Sequence, residues 1–213
     1  MNDSIRRKIG AGCFILGGAV YLLAEKISAL AWHVPAYRYM QNYISDLGIP
    51  VCGVLTDGRA ICSPRHAVMN MGFAAEGILF FLACFLIGSG CRPRGRWLFL
   101  LTGLLHGIGG VMIALFHSGG GNGGITLHQA GAVLAIAGGN LCLLTAGMLL
   151  RGHSRRRDRQ WGIISLLLGG VGLLSMLIIP LNLLPTGLIE RASVYPITCW
   201  QILTGLWLLR AKA

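Results

Sequence analysis

The chain has 213 residues, a mean hydropathy of +0.68, 54% hydrophobic residues and 12% charged ones, whereas a soluble domain carries about 25% charged residues. That deficit excludes an ordinary soluble domain and makes lipid the expected solvent. The formal net charge of +11 does not point to nucleic acid, because the basic residues sit in short clusters beside apolar runs without aromatic interleaving.

In chain order, six apolar runs cover approximately residues 9–32, 67–89, 97–116, 127–150, 161–184 and 192–209. Each approaches or exceeds the roughly 20 residues that a helix needs to cross the hydrocarbon. The expected fold class is all-α, a polytopic bundle of six transmembrane helices in a single transmembrane domain over residues 1–213. The first run continues for over twenty residues without a clear cleavage site, so it reads as a retained helix and not a signal peptide.

The clusters Arg6–Lys8, Arg92, Arg94 and Arg96, Arg151 with Arg155, Arg156, Arg157 and Arg159, and Arg210 with Lys212 hold 13 of the 18 Lys and Arg residues. The alternate connections hold only Arg38, Arg59, Arg65 and Arg191. The positive-inside rule then places both termini in the cytoplasm and residues 33–66, 117–126 and 185–191 outside.

Glu25 and Lys26 fall in the outer half of the first span and Glu76 in the second, where ionisable groups are costly and usually face the bundle interior. They read either as a ligand or proton site or as groups paired with a neighbouring helix, with partial snorkelling a further alternative for Lys26. In the outer loop 33–66, Asp46 of the YISDLG segment is a candidate metal ligand, general base or helix cap, with Ser45 beside it. Cys52 and Cys62 are expected to form a disulfide in an oxidising compartment. Ser63 is expected to cap the second helix, and Asn70 to hydrogen-bond across helices. Cys13, Cys84, Cys142 and Cys199 read as small packing residues, and Cys91 borders the cytoplasm.

In the third span Gly103, His106, Gly107 and Gly110 share one helical face, and in the fourth His128, Gly131, Ala132, Ala135 and Gly139 do the same. The two faces are expected to meet, since small residues let membrane helices approach closely. Gly169, Gly170 and Gly172 suggest another close contact. His106 lies mid-span, as a hydrogen-bonded structural residue or a ligand. His117 and His128 flank a glycine-rich turn that lacks GxxxxGK[ST] and is no phosphate loop. With Asp46 and Glu190 they would share an outer mouth, and imidazoles with carboxylates can hold zinc or another divalent metal. At the entrance of the last span, Glu190 and Arg191 precede Tyr195 and Pro196; Arg191 and Tyr195 stand four residues apart on one face. Arg191 is read as binding a lipid phosphate or carboxylate, or as neutralising Asp46 or Glu190. Pro196 is expected to kink the helix.

The segments YISDLG, SPRHAVMN and IERASVYPITCW, with the histidine-flanked third connection, resemble the bacterial and archaeal domain of unknown function 998 family over nearly the whole chain. The resemblance implies a six-helix protein of a bacterial or archaeal inner membrane and carries over no catalytic residue. Alkaline ceramidases and adiponectin receptors offer a more distant comparison, but they carry a late HxxxH motif around zinc, and no HxxxH occurs here.

The residues support three functional readings. The first is a protein that binds or moves a lipid or small amphiphile through a polar, outward-facing cavity. The second is a metal-dependent intramembrane hydrolase or transferase, and the third a structural or assembly subunit. Asp46, Asn70, Glu76, His106, His117, His128, Glu190, Arg191 and Tyr195 are the ligand-binding candidates, with His117, His128 and Asp46 the candidate metal ligands. The expected partners are membrane lipid and the amphiphile, with no nucleic acid.

Overall fold

The computed structural model describes residues 2–88, 93–118 and 125–210. Cys91, Arg92, Lys212 and most of the glycine-rich turn lie outside the described residues. Six helices follow in order: α1 (Asp3–Ala31), α2 (His66–Ile87), α3 (Pro93–Leu115), α4 (Leu127–Arg151), α5 (Arg156–Ile178) and α6 (Thr186–Arg210). All six are long and apolar enough to cross a membrane. The protein is a multi-pass membrane protein, and helices are the form in which such segments satisfy their own backbone in hydrocarbon. A small hairpin, β1 (Gly53–Val54) with β2 (Ala60–Ile61), lies in the long α1–α2 connection and is closed by the Cys52–Cys62 disulfide.

Each helix packs on its sequence neighbours, and α6 returns to α1, so the bundle closes as a ring. Leu23, Leu101, Leu167 and Leu174 are exposed on its outside, whereas Glu25, Glu76, His106, Asn140, Arg191 and Gln201 are buried inside. This distribution suits a protein whose solvent is lipid, since apolar side chains face hydrocarbon and polar ones find partners within. One end, the loop end, carries residues 32–65 and the α5–α6 connection. The other, the arginine-rich end, carries the α4–α5 turn and the start of α1.

Local chemistry sets several helix boundaries. Thr126 and Gln129 form a capping box at the start of α4. The α5 helix ends where Ile179–Leu181 tightens into a 3-10 turn and Asn182 adopts the left-handed conformation. Hydropathy alone runs this span to 184 and starts the last at 192. The structure instead begins α6 at Thr186, so Glu190 and Arg191 stand inside the helix and not in a connection before it. Ser63 does not cap α2. Its hydroxyl donates to the Leu47 carbonyl at 2.7 Å, and Arg65 occupies the cap position without a side-chain bond.

The expected meeting of the two faces holds for His106, whose ring reaches the Ala135 carbonyl oxygen at 2.7 Å, and is corrected for the α3 glycines. Gly107 and Gly110 face α2, where a Cβ on either would lie 2.9 Å from the Gly77 or Phe73 carbonyl oxygen. The α3–α4 contact runs instead through Gly109, whose Cβ would lie 2.6 Å from the Gly131 carbonyl oxygen. One helix can bury two stripes because small residues recur on two faces of α3. Gly169 and Gly172 do make the close contact expected of α5, against Asn140 of α4, while Gly170 faces open space. Cys84 and Cys142 pack in the core, but Cys199 is exposed.

Candidate functional site

Three polar clusters surround one cavity. The first fastens the loop end. Arg191 Nη2 donates to Glu25 Oε1 at 2.9 Å and to the Tyr37 hydroxyl at 2.5 Å. Its Nη1 donates to the carbonyls of Tyr39, Asn42 and Gly187 at 2.6, 3.0 and 2.9 Å. The Tyr195 hydroxyl reaches both oxygens of Glu25, at 3.1 and 3.0 Å. Arg191 therefore neutralises Glu25, and not Asp46 or Glu190 as its position in the sequence suggested. A guanidinium suits this role because its planar fork serves several acceptors at once. The Lys26 ammonium sits outside this cluster, 5.8 Å from the Tyr39 ring centre.

The second cluster holds the YISDLG turn. Residues Ser45–Gly48 form a single 3-10 turn in which Asp46 is fully buried. The Asp46 carboxylate accepts from the Tyr43 backbone N–H at 3.0 Å and pairs with Arg59, which the disulfide-closed hairpin presents. Arg59 also donates to Asp57 at 2.8 Å. Asn70 donates to the Gly48 carbonyl at 2.9 Å, tying α2 to the turn and not to another helix. The Ile44 N–H donates to the Glu190 carboxylate. Burial pushes the Asp46 carboxyl above its ordinary value, against the opposing pull of Arg59. Slight burial also raises Asp57, but its hydrogen bonds and charge contact with Arg59 hold it below the usual carboxylate range.

The third cluster lies deep in the bundle. Glu76 is ten residues from the start of α2, or about 15 Å along the axis, near the middle of a hydrocarbon core about 30 Å thick. His106 Nδ1 lies 2.7 Å from the Ala135 carbonyl oxygen and Nε2 lies 3.0 Å from both oxygens of Glu76. Gln201 Nε2 donates to Glu76 Oε1 at 2.9 Å. A carbonyl only accepts, so Nδ1 carries a proton. A neutral imidazole would then set its Nε2 lone pair against a carboxylate, and the contact is favourable only with a proton between them. The dyad is therefore either imidazolium with carboxylate or imidazole with carboxylic acid.

A cavity of about 50 Å³ runs between these clusters. Glu76, His106, His128, Glu190, Ser45 and Thr198 supply its polar lining, and Tyr21, Phe73, Ile113, Ala135, Ile136 and Ile197 much of its apolar wall. From Glu190 to Thr198 it follows α6 for eight residues, about 12 Å of helix. Four of the nine candidates thus share one space. Arg191 and Tyr195 point instead to Glu25, while Asp46 and Asn70 fasten the turn whose Ile44 and Ser45 line the cavity.

His117 is exposed and contacts its neighbour's carbonyl, Ser118 O, at 3.1 Å. His128 is buried, with Nδ1 2.7 Å from the Phe116 carbonyl oxygen. Among the described residues no three His, Cys, Asp or Glu side chains form a group that could hold a metal ion, so His117, His128 and Asp46 do not make the expected shell. Tyr37, Arg59 and Gln201 were missed as partners. Gln201 carried a readable signal, a long polar side chain within an apolar span, whereas the roles of Tyr37 and Arg59 depend on how the loop folds.

A family model described as a protein of unknown function (DUF998) matches residues 15–207. Comparison with curated proteins and with solved structures gives no match.

Proposed function

We propose, for a chain that belongs to the DUF998 family of proteins of unknown function, that it binds a lipid-derived or other small amphiphile in the cavity between α1, α2, α3, α4 and α6. The observation that carries this reading is the lining, an apolar wall with a few converging polar groups, as ligand sites generally have. Glu76 is already occupied by His106 and Gln201. Glu190 accepts one backbone N–H and has no cationic side chain bonded to it among the described residues. It is therefore the acceptor for a ligand's hydroxyl or amine. A volume of about 50 Å³ fits a head of a few heavy atoms, since one water needs about 10–15 Å³ on this measure. A tail would extend between helices or out through the mouth beside Ile44 and Ser45.

The orientation belongs to the same proposal. Both termini lie in the cytoplasm and the cavity mouth faces the oxidising side of the membrane, supported by the arginine clusters and by the disulfide at the opposite end. Photolabelling with a diazirine-bearing medium-chain alcohol tests the binding. Labels should concentrate on cavity residues such as Ile113 and Ile136, and Ala132→Phe should reduce them several-fold. Labelling of the cavity no greater than that of the exposed α5 face at Leu167 and Leu174 would sink the reading.

A further inference from the structure

At the arginine-rich end, a groove of about 310 Å³ opens between α5 and α6, lined by Arg157, Trp161, Leu203, Leu206, Trp207 and Arg210. Its parts are held in place. The Arg157 guanidinium lies 5.0 Å from the Trp207 ring centre and donates from Nη2 to the Trp207 carbonyl at 3.1 Å. Trp161 stacks on Trp207 at 6.2 Å, with 15° between the planes, and its Nε1 donates to the Thr204 hydroxyl at 3.2 Å. The Trp207 Nε1 is buried with no partner. Both arginines are exposed, and among the described residues no carboxylate pairs with either of them.

We propose that this groove binds the headgroup phosphate of an anionic phospholipid. Charge complementarity selects the occupant. Two guanidiniums without a carboxylate partner among the described residues line one groove where an apolar helix pair leaves the hydrocarbon, and arginine matches phosphate through paired N–H donors. The two tryptophans mark the interfacial level, which is where a lipid phosphate lies. Leu203 and Leu206, exposed or nearly so on the same groove, offer an apolar track for the start of an acyl chain. Basic pockets between membrane helices on one leaflet are suited to anionic headgroups. The other arginines of this end, such as Arg155 and Arg159, do not line the groove, so the site differs from the diffuse positive charge around it.

Native mass spectrometry of the full chain in neutral detergent tests the proposal, with phosphatidylglycerol and phosphatidylcholine of equal chain length as the probes. The first phosphatidylglycerol should bind at least several-fold more tightly than phosphatidylcholine. Arg157→Gln with Arg210→Gln should abolish that preference, and Arg155→Gln with Arg159→Gln, the same change in charge, should leave it. Equal binding of the two lipids, survival of the preference in the first pair, or its equal loss in the second would overturn the site. If the first pair does not fold, Arg157→Lys with Arg210→Lys serves. It should weaken phosphatidylglycerol binding several-fold, and unchanged binding would overturn the site. Glycerol phosphate at matched concentration should not displace the lipid; displacement would assign the groove to soluble phosphate esters and overturn the lipid reading.

Discussion

Arg191 and Glu25, 166 residues apart in sequence, meet at 2.9 Å inside the bundle and join α6 to α1. Their side chains are 8% and 3% exposed, so neither can turn to water if its partner is lost. Removing one member of such a buried pair costs about 3–5 kcal/mol. Arg191→Leu should show the full loss, because it also frees the carbonyls of Tyr39, Asn42 and Gly187. Glu25→Gln should cost less, since Arg191 keeps those carbonyls and Tyr37. Unfolding in detergent measures both, and limited proteolysis in residues 32–42 should rise only for Arg191→Leu.

The Glu76–His106 dyad predicts an ordered pair of effects. His106→Ala strands a buried carboxyl group and the Ala135 carbonyl, for a loss on the order of 3 kcal/mol. Glu76→Gln preserves shape and leaves a neutral imidazole with a neutral partner, so it should cost about 1 kcal/mol. Thermal unfolding of the two variants checks the order. Equal losses would show that Gln cannot replace the carboxyl group as the partner of His106.

Asp46 makes the loop end sensitive to pH. Its folded value lies above 3.8 because burial outweighs the pull of Arg59. The native state then holds the Asp46 proton more tightly than the unfolded chain does. The stability this group contributes is therefore fullest at low pH and declines as pH rises from 3.8 through the raised value. The ion pair with Arg59 follows the opposite course and is complete only above that value. Lowering the pH should release Arg59 and speed hydrogen exchange over residues 53–61 without Asp46 destabilising the bundle. Asp46→Asn should remove that step. Asp57, held low by Arg59, should titrate below 3.8.

Two glycines of similar appearance should respond in opposite ways. Gly109→Ala sets a methyl group 2.6 Å from the Gly131 carbonyl oxygen and 2.7 Å from Ala135 Cα, where backbone cannot yield cheaply. Its folded yield should fall. Gly170 has nothing within 4 Å of a Cβ, so Gly170→Ala should be neutral or stabilise by up to about 1 kcal/mol through helix propensity. Melting temperatures of the two purified variants provide the comparison.

Much of the deep site was legible one residue at a time. Glu76 and His106 stand out because an ionisable group in an apolar span must find a partner. Their pairing was not legible, since the spacing of 30 residues between them carries no helical periodicity. Arg191 was visible as a cation needing a partner, but neither Asp46 nor Glu190, the carboxylates its position suggested, pairs with it. Its partner is brought by the return of α6 to α1.

The six apolar segments, the segregation of arginines and the cysteine spacing were readable before folding, because length, hydropathy and local charge act within a short stretch of chain. The ends of the last two spans were placed poorly, as hydropathy does not register the 3-10 turn at Ile179–Leu181 or the early start of α6. Long-range packing settled which faces of α3 meet which neighbours, that Arg59 faces Asp46, and that Glu190 lines the cavity while Arg191 turns away. Successive residues on a helix point about 100° apart. A single position at the start of α6 therefore divides a cavity wall from the clamp that closes the bundle.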